Sequence, residues 1–133
     1  MAKFKVVVQK RTGAQLEVGD ESYDMEMEAL RLIGAEIVEV QAATEEEFIS
    51  EARDADAIIA AGRRISGNII SGLQKCKIIA LGSVGADSVD VAVATERGIP
   101  VTNAPDIFIE EVADHTMMLI LATFRRLTTM DRF

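Results

Sequence analysis

Lys77-Ile78-Ile79-Ala80-Leu81-Gly82-Ser83-Val84-Gly85-Ala86-Asp87-Ser88-Val89-Asp90 is a short apolar run that stops at one glycine, passes a second and leads into Val91-Ala92-Val93. A β-branched run followed by a glycine-bracketed turn and a helical pattern is the repeating unit of an α/β protein, because a parallel neighbour is reached only through a crossover.

Outward from it the same alternation fills the chain. Strands are expected at Lys5–Gln9, Glu36–Gln41, Ala57–Ala61, Ile78–Gly82 and Pro100–Asn103, each apolar and bounded by turn residues. Helices are expected at about Tyr23–Ile33, Glu45–Ala52, Asn68–Gln74 and Val91–Arg97. Gly34 and Gly98 stand where a left-handed residue would turn a helix directly into the next strand. Thr44-Glu45-Glu46-Glu47 is a capping box, so its acidic run is explained by helix capping and the helix dipole without a metal ion. Lys10 to Ser22 is polar and glycine-containing, the composition of an exposed loop that overhangs a site. The expected architecture is a parallel five-stranded sheet with helices on both faces.

The chain has 133 residues, and its 14 Lys and Arg against 22 Asp and Glu give a formal charge of −8. Nucleic acid is an unsuitable partner for so acidic a surface, because phosphate binding needs a basic patch. A hydrophobic fraction of 49% with 27% charged residues is the balance of a globular domain with a folded core. Cys76 is the single cysteine, so no internal disulfide can form, and it reads as a small buried hydrophobe just before a strand. With no leader pattern at the first residues, the cytoplasm is the expected compartment.

After Pro105 the organisation changes. A last helix is expected from Ile109 to Leu127, with nine apolar residues among the 13 from Val112 to Phe124. It falls short of the roughly 17 to 25 apolar residues that span a bilayer. No membrane partner is expected. Met117, Met118, Leu119, Ile120 and Leu121 run around the whole circumference, so burial is expected on more than one side, against a further domain or a second copy of the chain. Self-association as a homodimer through Val112–Phe124 follows as an expectation.

Candidate chemistry gathers at strand ends. Gly82-Ser83-Val84-Gly85 leaves the carboxyl end of a strand, where open α/β sheets bind ligands, and such a loop offers backbone amides to a small carboxylate; a tight strand-to-helix turn needs the same glycines. Arg63 and Arg64 follow the strand Ile58-Ile59-Ala60-Ala61 and should project from the same sheet edge; they read equally as anion ligands or as a solubilising pair. Neither a Gly-x-Gly-x-x-Gly fingerprint nor a phosphate-binding Gly-x-x-x-x-Gly-Lys loop is present. His115, the single histidine, has no serine motif or facing acid, so it reads as a structural residue bonded to backbone or carboxylate. No catalytic residue and no metal site is assigned.

From Lys77 to Arg126 the chain resembles the D-isomer-specific 2-hydroxyacid dehydrogenases, most closely their C-terminal-binding-protein-like branch. The resemblance is carried by the opening stretch, by Ala94-Thr95-Glu96-Arg97-Gly98-Ile99-Pro100-Val101-Thr102-Asn103-Ala104-Pro105 and by Val112-Ala113-Asp114-His115-Thr116. Earlier residues are similar only in pattern, through Gly34-Ala35-Glu36 and Ala55-Asp56-Ala57-Ile58-Ile59. The resemblance implies a flavodoxin-like substrate-binding domain whose N-terminal part is residues 1–105. Residues 106–133 would then be a crossover helix leading to an NAD-binding Rossmann domain that the sequence does not include.

It also implies roles. The amides of Val84 and Gly85 resemble those that hold the substrate carboxylate, and Arg63 and Arg64 fall where the second substrate loop lies. Phe108 replaces an asparagine common in the family, Val112 resembles a position lining the nicotinamide pocket, and Asn103 and Pro105 resemble the interdomain hinge. The implied reaction is hydride transfer between C2 of a 2-hydroxy acid and NAD, with an arginine orienting the carboxylate and a carboxylate-tuned histidine moving the proton. Those catalytic groups have no counterparts here, and His115 does not match the histidine. An inactive substrate-binding fragment is therefore expected, acting on a small 2-hydroxy or 2-keto acid. The alternatives are a stand-alone small-acid-binding module and a corepressor-like interaction module. A reading frame that continues past Phe133 into a Gly-x-Gly-x-x-Gly stretch would favour the enzyme.

Overall fold

The computed structural model describes residues 3–10 and 23–132, so the expected loop lies, apart from Lys10, outside the described residues. Elements follow in the order β1 (Phe4–Gln9), α1 (Asp24–Arg31), β2 (Ala35–Val40), α2 (Glu45–Ala52), β3 (Ala57–Ile59), α3 (Gly67–Gly72), β4 (Ile78–Ala80), α4 (Val91–Glu96), β5 (Val101–Thr102), α5 (Ile109–Phe124) and α6 (Leu127–Met130). All pairings are parallel, and the sheet order is β2-β1-β3-β4-β5. That is the flavodoxin-like order.

Right-handed crossovers place α1 on one face of this sheet and α2, α3 and α4 on the other. In agreement, α2 packs on α3 and α3 on α4. The core lies under these three helices, where Val7, Ile58 and Ile79, in register across β1, β3 and β4 and so on one face, meet Phe48, Ile69, Ile70 and Leu73. Val6 and Val8 are buried on the opposite side of β1. A strand covered on both sides needs the continuous apolar run that Val6-Val7-Val8 supplies.

Local chemistry sets the element ends. Thr44 accepts from the Glu47 amide at 3.2 Å while the Glu47 carboxylate accepts from the Ala43 and Thr44 amides at 2.7 and 3.3 Å, so the expected capping box is formed. Gly34 and Gly98 have φ of +72° and +67°, the left-handed turns expected between helix and strand. Strands β3, β4 and β5 are shorter than expected, because the backbone leaves the ladder at the site loops. Hydrogen bonds from Ala60 to Ala80 and from Leu81 to Thr102 still carry the pairing past the ends of β3 and β4.

The C-terminal segment departs most from expectation. Instead of one helix to Leu127, α5 ends at Phe124, Arg126 takes the left-handed conformation at φ +53°, and α6 is a separate short turn. No residue of α5 is buried, so the expected burial on several sides does not occur within this chain. His115 is exposed on that helix and has no hydrogen-bond partner among the described residues, which corrects the expectation of a bonded structural histidine. Cys76 is half-buried beside the core, its thiol donating to the Ile78 carbonyl at 3.3 Å, and burial pushes its pKa up. A raised pKa suppresses the nucleophilic thiolate. Among the described residues no helix is long and apolar enough to cross a membrane.

Candidate functional site

The loops after β3 and β4 run side by side at the carboxyl edge of the sheet. They are stitched together by a parallel bridge between Ile65 and Val89, in which the Ile65 amide donates to Ser88 at 2.7 Å and the Asp90 amide to Ile65 at 3.0 Å. Buried Ile65 and Val89 anchor the bridge in the core. Between the two loops opens a cleft of about 590 Å³, with Gly62, Arg63 and Arg64 on one side and Ser83, Gly85 and Asp87 on the other.

The glycine loop is exposed, and Val84 keeps 46% of its surface. Three successive carbonyls are engaged: Ser83 O accepts from the Ala104 amide at 3.0 Å, Val84 O from Asn103 Nδ2 at 2.6 Å, and Gly85 O from Ser83 Oγ at 2.9 Å. Its amides are not. Among the described residues nothing accepts from the N–H groups of Val84 or Gly85. Gly85 lines the cleft and Val84 flanks it.

The structure divides the arginine pair. Arg63 is half-buried, its Nε donating to Gln9 Oε1 at 3.1 Å, its Nη2 to the Ala42 carbonyl, and its guanidinium lying 5.5 Å from the centre of the Phe48 ring. Gln9 ends β1 as the one buried polar residue among those described. The Gln9–Arg63 pair thus closes the point between β1 and β3 where the strand order reverses, leaving the cleft one strand further along. Arg64 is exposed and lines the cleft, and its charge also reaches Glu45 at the start of α2. Asp87, also exposed there, carries the opposite charge and opposes an anion.

Two residues given no role in the sequence reading, Gln9 and Ser83, complete the site. A polar Gln9 closing an apolar strand was a signal, and so was Ser83 two residues before Gly85, a spacing suited to local side-chain-to-backbone bonding. Asn103 reaches back to the glycine loop, while Pro105, Phe108 and Val112 follow as an exposed run into α5. Phe108 and Val112 are 54% and 61% exposed and touch nothing in the cleft. Glu45 at the start of α2 accepts from Asn68, which with Ser66 holds its carboxyl below the usual range. Among the described residues no three His, Cys, Asp or Glu side chains gather to hold a metal ion.

A second depression, about 750 Å³ between α2 and the end of α3, has Arg97 committed to the backbone: it donates to the Ile70 and Leu73 carbonyls at the end of α3. It is a structural seam.

The chain is similar to known proteins along most of its length. It is 42% identical over 89 residues to a glyoxylate reductase of Thermococcus gammatolerans, covering 66% of this chain and 27% of that protein. To a D-3-phosphoglycerate dehydrogenase of Methanocaldococcus jannaschii it is 40% identical over 96 residues, 69% of this chain and 18% of that one. The chain thus spans about a quarter or less of the length of these relatives. Among solved structures, a D-lactate dehydrogenase from Aquifex aeolicus, crystallised with NAD and lactic acid, superposes with a TM-score of 0.68 at 24% identity, over 95% of this chain and 35% of that one. The family model for the D-isomer specific 2-hydroxyacid dehydrogenase catalytic domain matches residues 19–131, so this chain belongs to that family.

Proposed function

We propose that the chain is the substrate-binding part, residues 1–105 with a crossover segment 106–133, of a cytoplasmic NAD-dependent D-2-hydroxyacid dehydrogenase. The observation that carries this reading is the amide pair of the exposed residues Val84 and Gly85, without an acceptor among the described residues and set beside a cleft that Arg64 lines. A small 2-hydroxy or 2-keto acid seats its carboxylate on those amides. Arg64 adds a charge-assisted hydrogen bond, and Arg63 holds the wall from which Arg64 projects.

Exposed Phe108 and Val112 offer an apolar surface suited to the flat face of a nicotinamide, while the chain has no glycine spacing for a pyrophosphate. When bound, NAD supplies or accepts the hydride at C2 of the acid. This chain's own part is to fix the acid so that distance and angle are right, with Asn103 and Pro105 as the hinge between the two parts. Residues beyond this chain move the proton.

Glyoxylate is a suitable probe, since relatives of this chain reduce it by name. In a nitrogen-15 NMR titration, the Val84 and Gly85 amides should shift saturably with sodium glyoxylate, and Arg64→Ala should weaken the effect about fivefold or more. Unmoved Val84 and Gly85 signals would sink the site. The chain alone should oxidise no NADH with glyoxylate, and turnover by it would overturn the division of labour.

A further inference from the structure

The glycine loop is held partly from outside itself. Three of its successive carbonyls are drawn to fixed donors, and two of those donors lie on the segment that follows β5: the Ala104 amide on Ser83 O at 3.0 Å and the Asn103 side chain on Val84 O at 2.6 Å. Among the described residues no peptide bond is cis. In a trans peptide the C=O and the following N–H point in opposite directions. Fixing Ser83 O on Ala104 therefore turns the Val84 N–H away from the end of β5, and fixing Val84 O on Asn103 does the same for the Gly85 N–H. The Ser83 hydroxyl, on Gly85 O at 2.9 Å, holds the next plane.

From this geometry we infer that Asn103 is a positioning residue: its side-chain amide, through the Val84 carbonyl, orients the Gly85 N–H toward the substrate carboxylate. The inference rests on the reading of Val84 and Gly85 as the carboxylate site, and adds a residue that touches no substrate. It also makes the loop sensitive to the segment leading into α5. Asn103 and Ala104 directly precede Pro105, so movement of that segment shifts the donors and with them both amide planes. Carboxylate binding and the placing of α5 become linked through two hydrogen bonds. The linkage is reciprocal, as any coupling of binding to conformation is.

The test compares wild type, Asn103→Ala and Asn103→Ser by nitrogen-15 NMR, with sodium glyoxylate added at constant ionic strength. Asn103 is exposed, so the variants retain the core, which an unchanged spectrum for β1 and α2 checks. The Gly85 nitrogen and the Val84 carbonyl carbon should shift in Asn103→Ala before any ligand is added, a signature of the lost bond at Val84 O. The dissociation constant for glyoxylate should rise about fivefold, with Asn103→Ser, whose hydroxyl is a shorter donor, falling between. Equal affinity in all three chains, with Val84 and Gly85 responding in each, would overturn the positioning role and leave the carboxylate site standing. No response in wild type would overturn both. A loss in Asn103→Ala that spreads to β1 and α2 would show a purely structural role and would also overturn the inference.

Discussion

Asp56 shows at the residue scale how a carboxylate is bound into the sheet's amino edge. Its Oδ2 accepts from the Lys5 amide at 3.0 Å and its Oδ1 lies 3.4 Å from Lys77 Nζ. The Lys5 amide first, and Lys77 with it, hold the carboxyl below the usual range. A folded-state pKa lowered beneath the unfolded value of about 3.9 means that the unfolded chain binds more protons in the interval between them, so stability rises with pH there. The contribution is complete above the unfolded value and is lost as pH falls through the folded one. Urea midpoints measured between about pH 6 and pH 3 should therefore fall on the acid side, and Asp56→Asn should fall less steeply, the two curves converging at the acid end. Parallel curves would show that Asp56 contributes nothing to the slope.

Residues of this kind were only partly legible in the chain itself. Val84 and Gly85 are marked by the turn's two glycines, Gly82 and Gly85 itself. The commitment of Arg63 is invisible, because Gln9 and Ala42 lie 54 and 21 residues away and only the sheet order brings them together. Asn103 is marked only as a hinge position, and its bond to Val84 O, spanning 19 residues, is hidden for the same reason.

At the scale of elements, α2 has the bounds expected from sequence because its signal is local. Thr44 and Glu47 satisfy amides at the start of the helix that would otherwise lack partners, and the Ala43 and Thr44 amides in turn hold the Glu47 carboxyl below the usual range. Thr44→Ala should cost about 1 kcal/mol and lower the melting temperature by about 2 to 5 °C, while Thr44→Ser should stay near wild type. Circular dichroism melts decide the matter, and an unchanged midpoint in Thr44→Ala would show that the cap adds no stability. Helix α5 was misjudged at its end for the opposite reason. Nothing local stops it at Phe124: no glycine or proline follows, and the left-handed residue is Arg126. Its start was better marked, by Pro105 and by Glu110 and Glu111 in the first turn.

The whole molecule combines a closed core with an apolar helix that packs on none of it. Met117, Met118, Leu119, Ile120 and Leu121 are 50% to 57% exposed and Phe124 is 84% exposed. So large a contiguous apolar surface is unfavourable in water, at about 25 cal/mol for each Å² left uncovered. We propose that a second copy of the chain covers it, α5 meeting α5 across a two-fold axis, since a self-complementary apolar stripe is the simplest isologous contact. Sedimentation of the purified chain at tens of micromolar should then show a dimer that dissociates on dilution. Met117 and Leu121 are four apart and share a face, so the pair Met117→Glu and Leu121→Glu should weaken association more than tenfold, about 1.4 kcal/mol or more. The core elements lie elsewhere, so the variant should keep the wild-type urea midpoint when both are compared as monomers. A chain that sediments as a monomer at that concentration would overturn the proposal. A dimer indifferent to both charges would place the contact on another surface, where Met25, Leu32 and Ile33 are also exposed around α1.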